Sequence, residues 1–274
     1  SISVVYGLDN IDSKLSQSCV NSITSLFVLA GGLDQGGIYP LLNGANEQGA
    51  SDLGVSPNFL PGYYNVSKDE ERRYFANKWK SELPDWNGEN FVNKIQSGEL
   101  TDEIALLVFG DHTDTDQLSN KKLANIGFLV YQTLYCDEFA ENADVILPAA
   151  AFTEKDGTFT NLERRIQQVR SISNVINGES KSSWEFLVEL SKVMNAKGFE
   201  YSSSHEILAE IAQIVPIYEG ITWDTLEKSG EIVNRPPLDN PLPTQVLYSD
   251  IEYPGIIWDL DKLTHLEKFK LSSI

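Results

Sequence analysis

The chain has 274 residues, of which 41% are hydrophobic and 22% are charged, and its formal net charge is -19. This composition is typical of a globular protein with a sizeable core, and the acidic balance disfavours binding to nucleic acid or to an anionic membrane surface. The two cysteines, Cys19 and Cys136, lie far apart without C-x-x-C spacing. This excludes an iron–sulfur cluster or a zinc site ligated by cysteines of this chain alone.

The N-terminal residues show no signal-peptide pattern. They lack the basic-then-apolar pattern of a signal peptide, and no apolar run in the chain reaches the ~18 residues of a membrane span. The chain begins directly in a predicted strand at residues 1–6, which indicates a fragment or a split gene product.

The first hundred residues begin with a predicted strand at 2–6 and a predicted helix from Asp12 to about Ala30. Residues 31–62 are rich in glycine and show little periodicity. A long loop of this kind inside a compact domain is usually functional, and glycine lets the backbone approach a ligand closely. The standard nucleotide-binding glycine spacings are absent. A capping box at 67–70 then predicts a helix through Lys80.

The middle of the chain alternates short apolar runs with helical patterns. Strands are predicted at 104–109, 126–131 and 145–147, the last of them buried on both faces. This alternation predicts a parallel α/β sheet flanked by helices. A second capping box, at 182–185, opens a helix that is predicted to turn Trp184, Leu187, Leu190 and Met194 inward.

The stretch 143–170 holds the most polar chemistry. Its strand ends at Pro148, three alanines follow, and Gly157 ends a tight turn. Ligands of open α/β sheets lie at the carboxyl ends of the strands. The stretch therefore predicts a ligand site there, formed by the polar residues Thr158, Thr160, Asn161, Glu163, Arg164, Arg165 and Gln167. A polar crossover loop with a solvated charge cluster is the alternative interpretation.

Three segments resemble the molybdopterin oxidoreductase superfamily, in the same order and at comparable spacing. Residues 143–170 resemble its segment ADVVLP-A followed by EK-GT-TN-E-R-Q. Residues 44–63 resemble its glycine-rich segment that ends in P-G-Y. Residues 109–116 lie where the family has a turn after a strand. The superfamily includes formate dehydrogenase catalytic subunits and the large iron–sulfur subunit of respiratory complex I, and the resemblance covers roughly residues 1–230.

The resemblance implies parallel α/β sheets that hold a bis-molybdopterin guanine dinucleotide in catalytic members. The chain lacks the cluster-binding cysteines, a cysteine ligand for the metal and a recognisable C-terminal β-barrel. Asn43 stands where formate dehydrogenases place a substrate-binding arginine, just before the glycine that is here Gly44. Glu163, Arg164 and Arg165 match formate dehydrogenases better than complex I.

The missing arginine favours a structural, non-catalytic region of a complex-I-type NADH:quinone oxidoreductase large subunit. Electron transfer would then be carried by iron–sulfur clusters on missing or partner segments. The chain itself is expected to hold no catalytic residue, metal or cofactor, and to keep a vestigial pocket formed by Asn43, Gly44, Gly110, Asp111, Thr158, Asn161, Glu163, Arg164 and Arg165. One alternative is a fragment of a molybdenum or tungsten formate dehydrogenase catalytic subunit that holds bis-molybdopterin guanine dinucleotide. The other is a stand-alone small-molecule-binding α/β domain.

The expected partners are other subunits of a membrane-associated respiratory complex. Through them the chain would lie peripheral to the membrane, on its cytoplasmic or mitochondrial matrix side, without a span of its own. Residues 1–235 are predicted to form the α/β region. Residues 236–274 are predicted to form an extended proline-rich tail without regular pairing, which packs on the core or on a partner and buries Trp258. Arg164, Arg165 and Arg170 are expected to bond acidic neighbours.

Overall fold

The structure is a computed structural model. It describes residues 2–7, 13–32, 37–41, 44–84, 94, 97, 99, 105–109, 126–162, 164–172, 178–228 and 244–246. The predicted fold class is confirmed, because parallel sheets are flanked by helices. Within the described residues no helix is long and apolar enough to cross a bilayer.

The N-terminal part contains a pair of parallel strands, which several short elements follow. Strands β1 (Ser3–Tyr6) and β2 (Gly37–Pro40) are parallel and are separated by helix α1 (Ser13–Leu29). The glycine-rich segment continues with helix α2 (Glu47–Asp52) and the two-residue strands β3 (Phe59–Leu60) and β4 (Tyr64–Asn65). Helix α3 (Asp69–Trp79) follows.

A second parallel sheet has the strand order β5–β6–β7, formed by Ala105–Phe109, Phe128–Thr133 and Val145–Pro148. The central strand β6 is the buried one: Tyr131 is 1% exposed and Gln132 is 0% exposed. The prediction that the third strand is buried on both faces is wrong, because β7 is the edge strand in this order. Its residues Val145 and Ile146 are 38% and 43% exposed.

The remaining strands form an antiparallel sheet in the order β10–β9–β8. Strand β8 (Gly157–Thr160) turns into β9 (Arg165–Val169), and β10 (Thr244–Val246) pairs with β9. Residues 244–246 lie in the predicted tail, so the expectation that its prolines prevent regular pairing is wrong at these positions. Trp258 lies outside the described residues, and the division at residue 235 stays a prediction.

Three further α-helices lie in the C-terminal part of the described residues: α4 (Ser183–Val193), α5 (Ser204–Ile214) and α6 (Trp223–Lys228). The predicted inward face of α4 is wrong, since Leu187 and Leu190 are each 38% exposed and the buried positions are Val188 and Ser191. The main core joins α3, β9, α5, α6 and the short 3-10 helix Pro216–Tyr218. That core brings the side chain of Tyr218 toward the end of β8.

Candidate functional site

The turn between β8 and β9 is shaped by Asn161. Its backbone N–H donates to the Arg165 carbonyl at 3.0 Å, and its side-chain oxygen accepts from the Arg165 N–H at 3.0 Å. Arg164 lies in the left-handed region at φ 59°. Asparagine favours such turns because its side chain mimics a backbone acceptor. The turn therefore places two half-buried arginines, Arg164 and Arg165, at the end of the hairpin.

The glycine-rich segment is bonded directly to this hairpin. The side-chain oxygen of Asn46 accepts from the backbone N–H of Thr160, the last residue of β8, at 2.8 Å. Gly49 makes this approach possible. A Cβ added at that position would lie 2.3 Å from the Asn46 oxygen and 3.3 Å from the Thr160 Cβ. The two segments that the sequence singles out, residues 44–63 and 143–170, thus meet in the structure.

A buried polar network reinforces the contact. Asp52 is 0% exposed, and one of its carboxyl oxygens accepts from the Tyr63 hydroxyl at 2.6 Å and from the Gln48 amide at 2.8 Å. The Tyr218 hydroxyl lies 3.5 Å from the other oxygen and 3.0 Å from the Thr160 hydroxyl. Burial, and then the nearby Asp52, raise the pKa of the Tyr218 phenol. The phenol therefore stays protonated and can donate.

The alanines after β7 admit a neighbouring chain segment. Ala149 forms a parallel bridge with Lys181, and the Ala150 N–H donates to the Lys181 carbonyl at 3.0 Å. The same carbonyl accepts from the buried Gln132 amide at 2.9 Å, and Ser183 donates to the Gln132 oxygen at 2.6 Å. The small side chains at this edge are thus used for packing of the backbone at Lys181.

The structure places five of the nine predicted pocket residues. Asn161, Arg164 and Arg165 form the hairpin turn, Thr158 lies half-buried in β8, and Gly44 lies two residues before Asn46. The Gly44 N–H donates to the Glu47 carboxylate at 2.6 Å. The other four, Asn43, Gly110, Asp111 and Glu163, lie outside the described residues.

Arg164, Arg165 and Arg170 each take part in an interaction with another group. That their partners are acidic stays a prediction.

Sequence reasoning missed four residues that join the site: Asn46, Asp52, Tyr63 and Tyr218. The pair Gln48 and Asp52 has the i, i+4 spacing of neighbours on one helix face, which is a readable signal. Tyr218 has no local signal, because its partner Thr160 lies 58 residues earlier.

The donor set suits an anionic ligand. Guanidinium groups bind phosphate and carboxylate in two-point geometry, and the hairpin carries two of them in a chain whose net charge is -19. Among the described residues no group of three or more His, Cys, Asp or Glu side chains could hold a metal ion. The two guanidinium groups of the hairpin favour binding of an anionic group.

A family model described as molybdopterin oxidoreductase matches residues 4–193. The chain belongs to the molybdopterin oxidoreductase family. The match contains the glycine-rich segment and the β8–β9 hairpin, whereas Tyr218 lies beyond it. Guanidinium groups such as those of Arg164 and Arg165 can bind phosphate, which is part of a pterin dinucleotide, the group that the resemblance implies for catalytic members.

The relatives carry names of oxidoreductases. The chain is 36% identical over 233 residues to "Probable oxidoreductase YjgC" of Bacillus subtilis, which covers 81% of this chain and 23% of the relative. It is 32% identical over 256 residues to an F420-dependent formate dehydrogenase subunit alpha of Methanocaldococcus jannaschii, with 90% of this chain and 37% of the relative covered.

A third relative is F420-dependent formate dehydrogenase 2 subunit alpha of Methanococcus maripaludis. It is 34% identical over 235 residues, which is 82% of this chain and 32% of the relative. The chain thus spans between about a quarter and somewhat more than a third of the length of these relatives.

These findings correct the weighting of the alternatives. They support the superfamily and favour the formate dehydrogenase alternative. They do not show a relation to complex I. The expectation that the chain holds no cofactor is likewise not supported, because it belongs to a family described by its molybdopterin.

Proposed function

We propose that this chain is part of a molybdopterin-dependent catalytic subunit of the formate dehydrogenase type. The carrying observation is that the family match contains both the glycine-rich segment and the β8–β9 hairpin, which the Asn46–Thr160 hydrogen bond joins. Arg164, Arg165 and Asn161, together with the segment around Gly44, would hold the phosphate-bearing part of the cofactor. When bound, the pterin holds a molybdenum or tungsten ion that accepts the electrons of the substrate.

Asn43 bears on the substrate. It stands where the resemblance places the carboxylate-binding arginine of formate dehydrogenases, so recognition of formate would rest on other groups. An assay of the full-length protein should therefore test formate beside other small two-electron donors, with an artificial dye as acceptor.

The cofactor is tested on the full-length protein, with metal content and pterin fluorescence measured after purification. We expect about one metal ion and stoichiometric pterin. Arg165→Ala removes a guanidinium group but keeps the backbone bonds of the turn. Pterin should therefore dissociate about ten times faster, the effect of losing a charge-assisted hydrogen bond of about 1.5 kcal/mol, and the pterin content that remains after gel filtration should fall. Arg73→Ala removes the same charge from an exposed position on α3 and is the matched control.

Absence of both metal and pterin from the wild-type protein would overturn the proposal.

Partners and location are also proposals. Because the two cysteines of this chain cannot ligate a cluster alone, we propose that electrons pass to iron–sulfur clusters on other segments or partner subunits. Those partners would hold the chain peripheral to a membrane. Co-purification of cluster-bearing subunits, followed by cell fractionation, tests both statements.

A further inference from the structure

Thr160 is held from two sides. Its backbone N–H donates to Asn46 of the glycine-rich segment, and its hydroxyl lies 3.0 Å from the Tyr218 hydroxyl. The residue is 2% exposed, so both of these polar groups need protein partners. Because Thr160 immediately precedes the turn 161–164, its two bonds set where the arginines of the hairpin lie relative to the glycine-rich segment.

The carboxyl group of Asp52 links the glycine-rich segment to Tyr218, the residue that contacts the Thr160 hydroxyl. Removing a carboxyl group completely from water is unfavourable unless hydrogen bonds compensate. The hydroxyl of Tyr63 and the amide of Gln48 supply donors from the same segment. Tyr218, at 3.5 Å from Asp52, brings a hydroxyl from a part of the chain beyond the family match.

The Tyr218 side chain has two separable parts. Its ring packs in the main core with residues such as Phe75 and Ile166, while its hydroxyl faces Thr160 and Asp52. Phenylalanine would keep the ring and remove only the link. The hydroxyl can therefore be tested apart from core packing.

We propose that Asp52 and Tyr218 are positioning residues that hold the arginine-bearing hairpin against the glycine-rich segment, and thereby set how tightly a pterin dinucleotide is retained. This inference rests on the proposed function. It adds to that function two residues that lie outside the hairpin turn, one of them also outside the family match.

The test compares Tyr218→Phe with Tyr74→Phe in the full-length protein. Tyr74 lies against the same core, and its hydroxyl donates to the Ile214 carbonyl at 2.8 Å. Each variant therefore loses one hydrogen-bonded phenol hydroxyl. The thermal midpoint is measured beside the rate at which pterin dissociates after dilution and gel filtration. We expect similar midpoints for the two variants. Pterin should leave Tyr218→Phe about three to ten times faster than the wild type and leave Tyr74→Phe at the wild-type rate.

Asp52→Asn is the second variant. It keeps the size of the side chain and the oxygen that accepts from Tyr63 and Gln48. The other oxygen is replaced by an amide group, which cannot accept from the Tyr218 hydroxyl. Pterin release should again be faster than in the wild type.

Wild-type release rates in both Tyr218→Phe and Asp52→Asn would overturn this proposal while leaving the proposed function intact. Equal acceleration in Tyr74→Phe would also overturn it, since the effect would then be general loosening of the core. A wild-type protein without pterin would instead defeat the proposed function, and this inference with it.

Discussion

Replacing Gly49 by alanine would break the hydrogen bond that joins the glycine-rich segment to strand β8. The new Cβ would lie 2.3 Å from the Asn46 side-chain oxygen, far inside van der Waals contact, and 3.3 Å from the Thr160 Cβ. Since Gly49 is buried in helix α2, the Asn46 amide is the group that must move. Its movement removes the acceptor of the Thr160 N–H.

The magnitude follows from two opposing effects. Leaving the buried Thr160 N–H without an acceptor costs about 1–3 kcal/mol. Alanine in place of glycine inside a helix stabilises by about 0.5–1 kcal/mol. Taking the middle of each range, the net effect is a local destabilisation of about 1.2 kcal/mol, which corresponds to roughly eightfold faster amide exchange at Thr160.

Hydrogen exchange on the full-length protein measures this directly in peptides that contain Thr160. The informative comparison is a double-mutant cycle with Asn46→Ala, which removes the side chain that the new Cβ would strike. In that background Gly49→Ala should be neutral or slightly stabilising. Gly157→Ala is the matched control, because a Cβ there meets nothing within 4 Å.

The reasoning is refuted if Gly49→Ala exchanges like the wild type. It is also refuted if the substitution accelerates exchange equally with and without the Asn46 side chain, because the two residues would then be energetically independent.

Three further substitutions test packing and electrostatics in the rest of the chain. Ser183→Ala removes the 2.6 Å hydrogen bond to the buried Gln132 amide and should destabilise by about 1–2 kcal/mol in chemical denaturation. Phe75→Ala removes a ring that is 0% exposed and should cost about 3–5 kcal/mol in the same assay. The pKa of the Glu206 carboxylate is lowered from 4.5 by hydrogen bonds, first from the Ser202 backbone N–H. Its stabilising effect is present above pH 4.5 and is lost below it, so Glu206→Gln should be less stable at neutral pH, and the difference should vanish on acidification.

Controls exist for the first two. Ser22→Ala removes only an exposed bond to the Ser18 carbonyl within α1, and Phe152→Ala removes a ring that is 58% exposed. Each should change stability by less than about 0.5 kcal/mol. If either control destabilised the protein as much as the substitution it is paired with, burial of the Gln132 amide or of the Phe75 ring would not be the cause. For Glu206, a difference from the wild type that persisted unchanged at low pH would contradict the assignment to its carboxylate.

Local signals in the sequence were sufficient where structure is decided locally. The capping box at 182–185 is confirmed, with the Ser182 N–H donating to the Glu185 carboxylate at 2.7 Å. The prediction of a capping box at 67–70 is wrong: α3 begins at Asp69 after the N-cap Lys68, and Ser67 instead donates its N–H and its hydroxyl to the Asn65 side chain. A neighbouring side chain that competes for the same group is not visible in a four-residue pattern.

Burial and the site depended on non-local packing. An apolar run predicts β7 but not its place at the edge of the sheet, and the apolar residues of α4 do not tell which face meets the core. The polar segments that form the candidate site were found from glycine content and turn chemistry. Their connection through Asp52 and Tyr218 spans 166 residues, and no pattern along the chain encodes a contact of that range. The weight given to Asn43 favoured the complex I interpretation, whereas the relatives favour the formate dehydrogenase alternative, which the arginines of the hairpin had also indicated.

Arg164 has a backbone conformation that is locally unfavourable for a residue with a side chain. A left-handed residue at φ 59° is about 1–2 kcal/mol less favourable for arginine than for a residue without a side chain. Glycine would form the same turn more easily, yet the chain carries a long cation there. Arginine at position 164 is therefore not the residue that would make the hairpin most stable. An arginine at this position is consistent with a turn that fixes the place of a positive charge, with the Asn161 carbonyl accepting from the Arg164 N–H.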